Sequence, residues 1–175
     1  MEITRLEEAG IPLHLIAYDA LSGQEVRLSA GPAIDAVLAA AAIPGLLPPV
    51  RFGGRLLTDG GVSNNTPISH AIQLGAERVY VLPTGTPGDR ALPRPPRSVP
   101  GAAVNALTRL VDARLEADLE RYAALAEIIV LPAANPQHVP LTSFAHAGEL
   151  IEQSLTAART VLAAHDAHPA QARAS

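Results

Sequence analysis

The chain contains no cysteine. Disulfides, thiol catalysis and thiolate-bound metals are therefore excluded, and the composition suits a reducing compartment. Tryptophan is also absent, and aromatic residues make up only 3%, so aliphatic side chains and alanine must build the core. There is no basic field. Thirteen Lys+Arg against seventeen Asp+Glu leave a formal charge of -4, and no Lys/Arg-rich run occurs, so no nucleic-acid partner is expected. Long apolar runs are lacking too. The longest uncharged one, Ala36 to Val50, is interrupted by Pro44, Pro48 and Pro49 and is shorter than the ~20 residues of a spanning helix. The first residues, Met1 to Glu8, offer neither a basic region nor an apolar one of the secretory kind. The expectation is a cytoplasmic protein.

What is present is a globular composition: 175 residues, 48% hydrophobic and 17% charged. Leu13 to Tyr18 reads as a buried strand, followed by a Ser22-Gly23 turn and a short alternating strand, Glu25 to Leu28. Gly31-Pro32 opens a helix over 33–42, with Pro32 at the first helical position and an apolar stripe of Ile34, Val37, Leu38 and Ala41. Val50 to Phe52 and Arg55 to Thr58 flank Gly53-Gly54, a hairpin turn. A short helix from Thr66-Pro67 to Gly75 and a strand over 78–82 follow, and strand, helix, strand in that order predicts a parallel layer. Beyond a proline-rich stretch the periodicity predicts a long helix over 104–126, with Leu107, Val111, Leu115, Leu119 and Tyr122 inward. Its charged residues, Asp112, Arg114 and Asp118 among them, then form a solvated face. A strand over 127–131 comes next, then a last helix over 143–164 with Phe144, Ala147, Ile151, Leu155, Ala158 and Leu162 inward. The fold class is α/β.

The chemistry concentrates at Asp59-Gly60-Gly61, which closes the run Arg55-Leu56-Leu57-Thr58. A carboxylate at a strand end combines a rigid support with an open loop, and the glycines read as a turn that other residues tolerate poorly. Asp-Gly is also an ordinary turn pair, so the motif alone leaves a capping role open. Asp19 reads as a strand-end turn residue, and Asn64 and Asn65 as residues that hold the Asp59 loop. The six histidines are scattered, with no His-x3-His or His-Glu-x-x-His spacing, so no metal site is expected.

The surroundings of Asp59 carry a resemblance. Ala42-Ile43-Pro44-Gly45, Pro48-Pro49-Val50, Asp59-Gly60-Gly61-Val62, then Asn65 and Pro67, in this order and spacing, resemble the C-terminal half of the patatin-like phospholipase catalytic domain. The likeness runs from about Ile11 to Gly85, and Ser143-Phe144-Ala145-His146 adds a weaker trace. It implies a three-layer α/β fold of which this chain holds an incomplete C-terminal portion. Residues 1–85 are then the part of the catalytic domain with the Asp-Gly-Gly motif, 86–101 a proline-rich loop, and 102–175 an extension of the same domain.

The resemblance also implies an activity: hydrolysis of lipid or other carboxylic esters by a serine–aspartate dyad, with no cofactor. Asp59 takes the place of the general base, which burial would strengthen, and Gly60 and Gly61 form the active-site turn. Ile43, Leu46 and Leu47 are candidates for an acyl-chain lining. The nucleophile of such enzymes lies in Gly-x-Ser-x-Gly. None of Ser22, Ser29, Ser63, Ser69, Ser98, Ser143, Ser154 and Ser175 has that context, and no glycine-rich oxyanion loop is present. The expectation is a chain that starts partway through the domain. The implied partners are an acyl-ester substrate, a membrane surface touched transiently, and either a second copy or the missing N-terminal half. The alternative is an inert fragment, or a non-catalytic half that docks on a chain carrying the nucleophile. A strand at Leu13 deprived of parallel neighbours would leave a sheet edge exposed and favour association.

Overall fold

The computed structural model describes residues 3–83, 98–133 and 145–167. Residues 86–97 of the expected proline-rich loop, His138, Ser143, Phe144 and His168 lie outside them. The described residues form two compact units, which share one long helix in sequence.

The first unit holds β1 (Leu15–Asp19), β2 (Gln24–Leu28), α1 (Ala33–Ala40), β3 (Val50–Phe52), β4 (Arg55–Asp59) and the short α2 (Gly61–Asn64). Its four strands form one sheet in the order β2-β1-β4-β3. β1 and β2 are a hairpin, with Leu15 opposite Leu28 and Ala17 opposite Val26. β3 and β4 are another, closed by Gly53 and Gly54 at φ +57 and +78. Those two positive values are what a two-residue turn matched to strand twist requires, and glycine supplies them without strain. β1 then joins β4, with Ala17 opposite Asp59 and Asp19 opposite Leu57. Every pairing in this sheet is antiparallel, as tight hairpins dictate. Among the described residues β1 therefore has no parallel neighbour, and it is not an edge either: β2 and β4 flank it, and the edges fall to β2 and β3.

One face of the sheet is covered by α1. Leu6, Ala17, Leu28, Ala36, Ala39 and Leu57 form the buried cluster, with Leu15, Val26, Val50 and Phe52 packed around it. The orientation of α1 reverses the one its sequence predicts. Ala36 and Ala39 face the sheet and are fully buried, whereas Ile34, Val37 and Leu38 are 73%, 52% and 55% exposed. Alanine methyls let the helix backbone approach the sheet closely, and the larger aliphatic side chains are left on the opposite side. Pro32 serves as N-cap without a side-chain cap rather than as the first helical residue.

The segment before β1 locks the start of α1. Leu6, in a single 3-10 turn (Leu6–Glu8), is 1% exposed and fills the core. Its N–H donates to Gly31 O at 3.0 Å, and Ala33 N–H donates to Thr4 O at 2.9 Å. Gly31 has φ +109, and a Cβ there would meet the Phe52 ring at 2.7 Å, so both backbone and space call for glycine. Glu7 Oε2 accepts the Gly31 N–H at 2.8 Å. Glu8 Oε2 accepts from the Thr4 hydroxyl at 2.7 Å and from Arg5 N–H at 3.1 Å.

The second unit holds α3 (Ile68–Gln73), β5 (Arg78–Val81), the later part of α4 (Val99–Tyr122), β6 (Glu127–Val130) and α5 (Ala147–Ala167). β5 and β6 pair in parallel, Val79 opposite Ile128 and Val81 opposite Val130. The parallel pair is thus β5 with β6, and not β4 with β5 as the order of elements predicts. Both edges of β4 are already taken by β1 and β3. Ile68, Val81 and Leu115 are the buried centre, with Ile72, Leu119, Tyr122 and Ile128 against them. Leu115, Leu119 and Tyr122 face inward as expected, but Asp118 on the same face is buried at 2% exposure, not solvated. Arg114 Nε, one turn earlier, meets its carboxylate at 2.8 Å. On α5 the predicted face holds in part: Ala147, Ala158 and Leu162 are half-buried as expected, and so are Leu150, Ser154, Ala157 and Val161, while Ile151 and Leu155 are exposed. Near the end of α5, His165 Nε2 lies 3.0 Å from Glu127 Oε1 without hydrogen-bond geometry, and the other Glu127 oxygen takes Arg78 Nε at 2.6 Å.

The clamp on α1 makes an acid-sensitive contribution to stability. Amide hydrogen bonds, its own and that of Gly31, with the Arg5 side chain, hold Glu7 below the ordinary glutamate value. The Thr4 hydroxyl and the Arg5 amide do the same for Glu8. A carboxyl whose folded value is depressed stabilises the fold above its unfolded value, and the gain is lost as pH falls through the folded one. Urea denaturation should therefore show the wild-type protein losing stability between neutral pH and acid, with a smaller loss for the Glu7→Gln, Glu8→Gln double variant.

Candidate active site

Asp59 is the last residue of β4, and the backbone fixes it from several sides. It lies opposite Ala17 of the inner strand β1. Its N–H donates to Ala42 O, just beyond α1, at 3.0 Å. Its half-buried carboxylate accepts the Gly61 N–H on Oδ1 at 2.7 Å. Among the described residues this is the carboxylate's only hydrogen bond, so Oδ2 keeps its lone pairs for another donor.

The two glycines do different work from that expected of a turn. Neither has a positive φ, and Gly60 sits at -68, -17, open to any residue. Space is what demands glycine. A Cβ on Gly60 would lie 2.2 Å from Ile16 O and 2.4 Å from its carbonyl carbon, which are backbone atoms of β1. A Cβ on Gly61 would lie 2.9 Å from Asn65 Oδ1 and 3.0 Å from Asp59 Oδ1, which belong to side chains. Gly60 lets the two backbones close at the strand end, and Gly61 leaves room for the carboxylate and a neighbouring amide to converge.

The other polar groups of the loop have partners of their own. Ser63 Oγ donates to Gly60 O at 3.3 Å, inside the turn. Asn64 is buried, and its Nδ2 approaches Glu25 Oε1 at 3.4 Å, so it holds the loop to β2. Asp19, at the far end of β1, accepts Leu21 N–H at 3.0 Å and Ser22 N–H at 3.4 Å, with Arg55 at 3.5 Å. The Leu21 amide above all, against the effect of burial, holds its carboxyl below the usual aspartate value. It is a turn residue, as the sequence indicates. Among the described residues no group of three His, Asp or Glu could hold a metal ion.

Residues 13–72 match the family model described as Patatin-like phospholipase. Over this segment the chain is similar to the patatin-like phospholipase family. The segment contains β1 to β4, α1, α2, the Asp59 turn and nearly all of α3. An uncharacterized NTE family protein of Mycobacterium tuberculosis is 36% identical over 72 residues, 41% of this chain and 20% of that protein. A second such protein of the same organism is 42% identical over 52 residues, 30% of this chain and 9% of that protein. Lysophospholipase NTE1 of Debaryomyces hansenii is 35% identical over 54 residues, 31% of this chain and 4% of that protein. The chain thus aligns with about a fifth, or less, of the length of these relatives. The mixed α/β architecture, with one parallel strand pair among the described residues, agrees with a patatin-like fold.

Within the matched segment, the backbone connects Ile43 of the candidate acyl lining to the Asp59 turn. Ile43 follows the residue whose carbonyl holds Asp59, and its own carbonyl accepts Leu46 N–H and Leu47 N–H at 3.0 and 2.9 Å. Ile43 is half-buried, whereas Leu46 and Leu47 are 66% and 50% exposed. The role of the Ala42 carbonyl and the approach of Ile16 leave no sequence signal, because backbone atoms do not depend on side-chain identity. Asn65 is visible only by its spacing from Asp59.

The contrast between the glycines is measurable. Gly60→Ala should cost about 3 kcal/mol or more, since the obstacle is a strand backbone. Gly61→Ala should stay within about 1 kcal/mol, because side-chain oxygens can move and alanine favours helix. Chemical denaturation of both variants checks the order. Equal costs would mean that β1 and β4 do not approach at this point.

Proposed function

We propose that this chain contributes the base half of a lipid acyl-ester hydrolase, with Asp59 as the general base of a serine–aspartate dyad. The observation that carries the reading is Asp59 itself: a carboxylate fixed by backbone at a strand end, with one oxygen uncommitted, inside a segment similar to the patatin-like family. A serine hydroxyl is a poor nucleophile until a base takes its proton. In the proposed reaction Asp59 accepts that proton as serine oxygen bonds to the ester carbonyl carbon. The proton then passes to the departing alcohol as the ester bond breaks. Water, deprotonated by Asp59, then bonds to the acyl carbon, and the proton passes from Asp59 to the serine oxygen as the acyl–serine bond breaks and the carboxylic acid leaves. The substrate class is carboxylic esters of lipids, in keeping with the relative named as a lysophospholipase. Ile43, Leu46 and Leu47 are proposed to meet the acyl chain, and the exposed leucines suit transient contact with a membrane surface. Among the described residues no helix is long and apolar enough to cross a membrane.

A second reading has an observation of its own. No serine of the chain has the Gly-x-Ser-x-Gly context, and Ser63 directs its hydroxyl to Gly60 O. The nucleophile is then supplied by polypeptide outside these 175 residues, and the chain alone is inert.

Turnover of a p-nitrophenyl ester tests both. Activity of the chain alone, or of the chain combined with a polypeptide bearing the serine elbow, should fall by roughly 10²–10⁴-fold on Asp59→Asn. Turnover unaffected by that substitution would remove Asp59 from the mechanism. No turnover by the chain alone, with turnover on adding the elbow-bearing polypeptide, is the outcome of the second reading.

A further inference from the structure

The second unit carries a sheet of two parallel strands, β5 and β6. A parallel sheet ordinarily has both faces covered. One face here is: Val79, Val81, Ile128 and Val130 pack in the cluster with Ile68 and Leu115. The other face is covered unevenly. On β6, Ile129 is buried, as is Leu131 just beyond the strand. On β5, Tyr80 is 45% exposed, and Leu82 just beyond the strand is 73% exposed.

The outer edge of β5 is open as well. Glu127 N–H donates to Glu77 O and Leu131 N–H to Val81 O, both at 2.9 Å. Alternate residues of a parallel strand bond the neighbouring strand, so Val79 and Val81 face β6, and the N–H and C=O of Arg78 and Tyr80 point away from it. Among the described residues no strand pairs with that edge. The other free edges are guarded. β2 carries exposed Glu25 and Arg27, and β3 has only three residues. Beside the outer edge of β6, Ile128 and Val130 are half-buried. On β5 the one charge, Arg78, is bound by Glu127 at 2.6 Å.

We propose that β5 is a docking edge for the β5 of a second copy of this chain, the two strands pairing antiparallel about a two-fold axis at Tyr80. The edge is complementary to itself. The axis sets the outward N–H of Tyr80 against the C=O of the partner's Tyr80, and the reverse, and brings Arg78 opposite the partner's Leu82. No like charges meet, because Arg78 faces an aliphatic side chain. The exposed tyrosines and leucines of both copies gather on one face as cross-strand neighbours. Two sheets of two strands become one of four, closer to the size at which a sheet is stable. The pairing does not depend on the chemistry of Asp59. Sequence alone places the associating edge at the strand from Leu13, but β1 lies inside its sheet, and the open edge belongs to β5.

Sedimentation equilibrium of the whole chain over a range of concentrations tests the pairing, with amide hydrogen exchange at Tyr80 followed in the same samples. The wild-type chain should show a reversible monomer–dimer equilibrium. Tyr80→Lys combined with Leu82→Lys, both at exposed positions, sets like charges against one another across the axis. It should weaken dimerisation by about tenfold or more, with the far-UV circular dichroism of the monomer unchanged. The Tyr80 amide should be protected in the dimer and lose that protection on dilution below the Kd, while the Val79 amide, which faces β6, stays protected throughout. A wild-type chain that remains monomeric, or a dimer that both lysines leave intact, overturns the proposal. Where the double variant fails to fold, the wild-type exchange decides: a Tyr80 amide whose protection does not change on dilution overturns it too.

Discussion

The site depends on how closely two backbones approach at the end of β4. With Gly60 over the Ile16 carbonyl, β4 can end against β1 without a side chain between them. Every other restraint on Asp59 follows from that closure. The pairing with Ala17 sets its height on the sheet, the Ala42 carbonyl takes its amide, and the Gly61 amide takes its carboxylate. A carboxylate held by main-chain atoms costs little reorganisation when it is used, the general advantage of a preorganised catalytic group. Protein side chains could vary widely around it without moving it.

The same closure explains how α1 is seated. The bond from Asp59 to Ala42 fixes the exit of the helix, and the Thr4, Leu6 and Glu7 contacts fix its entry at Gly31 and Ala33. Between those points the helix lies close to the sheet, with Ala36 and Ala39 buried beneath it and Ala33 packed against the same cluster. Its larger aliphatic residues face the other way, and Leu46 and Leu47, in the turn after α1, are exposed as well. In the proposed function that surface is where a lipid substrate meets the chain. Exposed aliphatic side chains without polar groups suit acyl chains, which offer nothing to hydrogen-bond.

Much of this was legible in the sequence, where local chemistry decides the outcome. Gly53-Gly54 announces a hairpin because its turn needs positive φ, and Asp19 announces a turn because a short carboxylate bonds amides two and three residues on. Asp59 at the end of an apolar run was equally clear, and the patatin-like pattern around it was visible from residue order. What failed depends on tertiary packing. A helix with aliphatic residues on one side and alanines on the other normally buries the aliphatic side, but close approach to a sheet favours the small one. The exposure of Ile151 and Leu155 on α5 and the burial of Asp118 are set by packing against partners distant in the chain, with Arg114 only supplying the charge that Asp118 meets. The glycines of the Asp59 turn serve space rather than backbone angle, and at Gly60 that space depends on Ile16, more than forty residues earlier in the chain. The parallel pair was misplaced because nothing in β4 shows that both its edges will be occupied.

The most direct measurement of the central claim, that backbone contacts hold Asp59 in place, is native-state hydrogen exchange at the Asp59 and Gly61 amides. Both donate within the protein, Asp59 to Ala42 O and Gly61 to the Asp59 carboxylate. The account predicts that the Asp59 amide exchanges as slowly as its β1 neighbours, and that Gly61 is protected well beyond an open loop. Exchange of Asp59 at the rate of an unprotected amide under native conditions would contradict it.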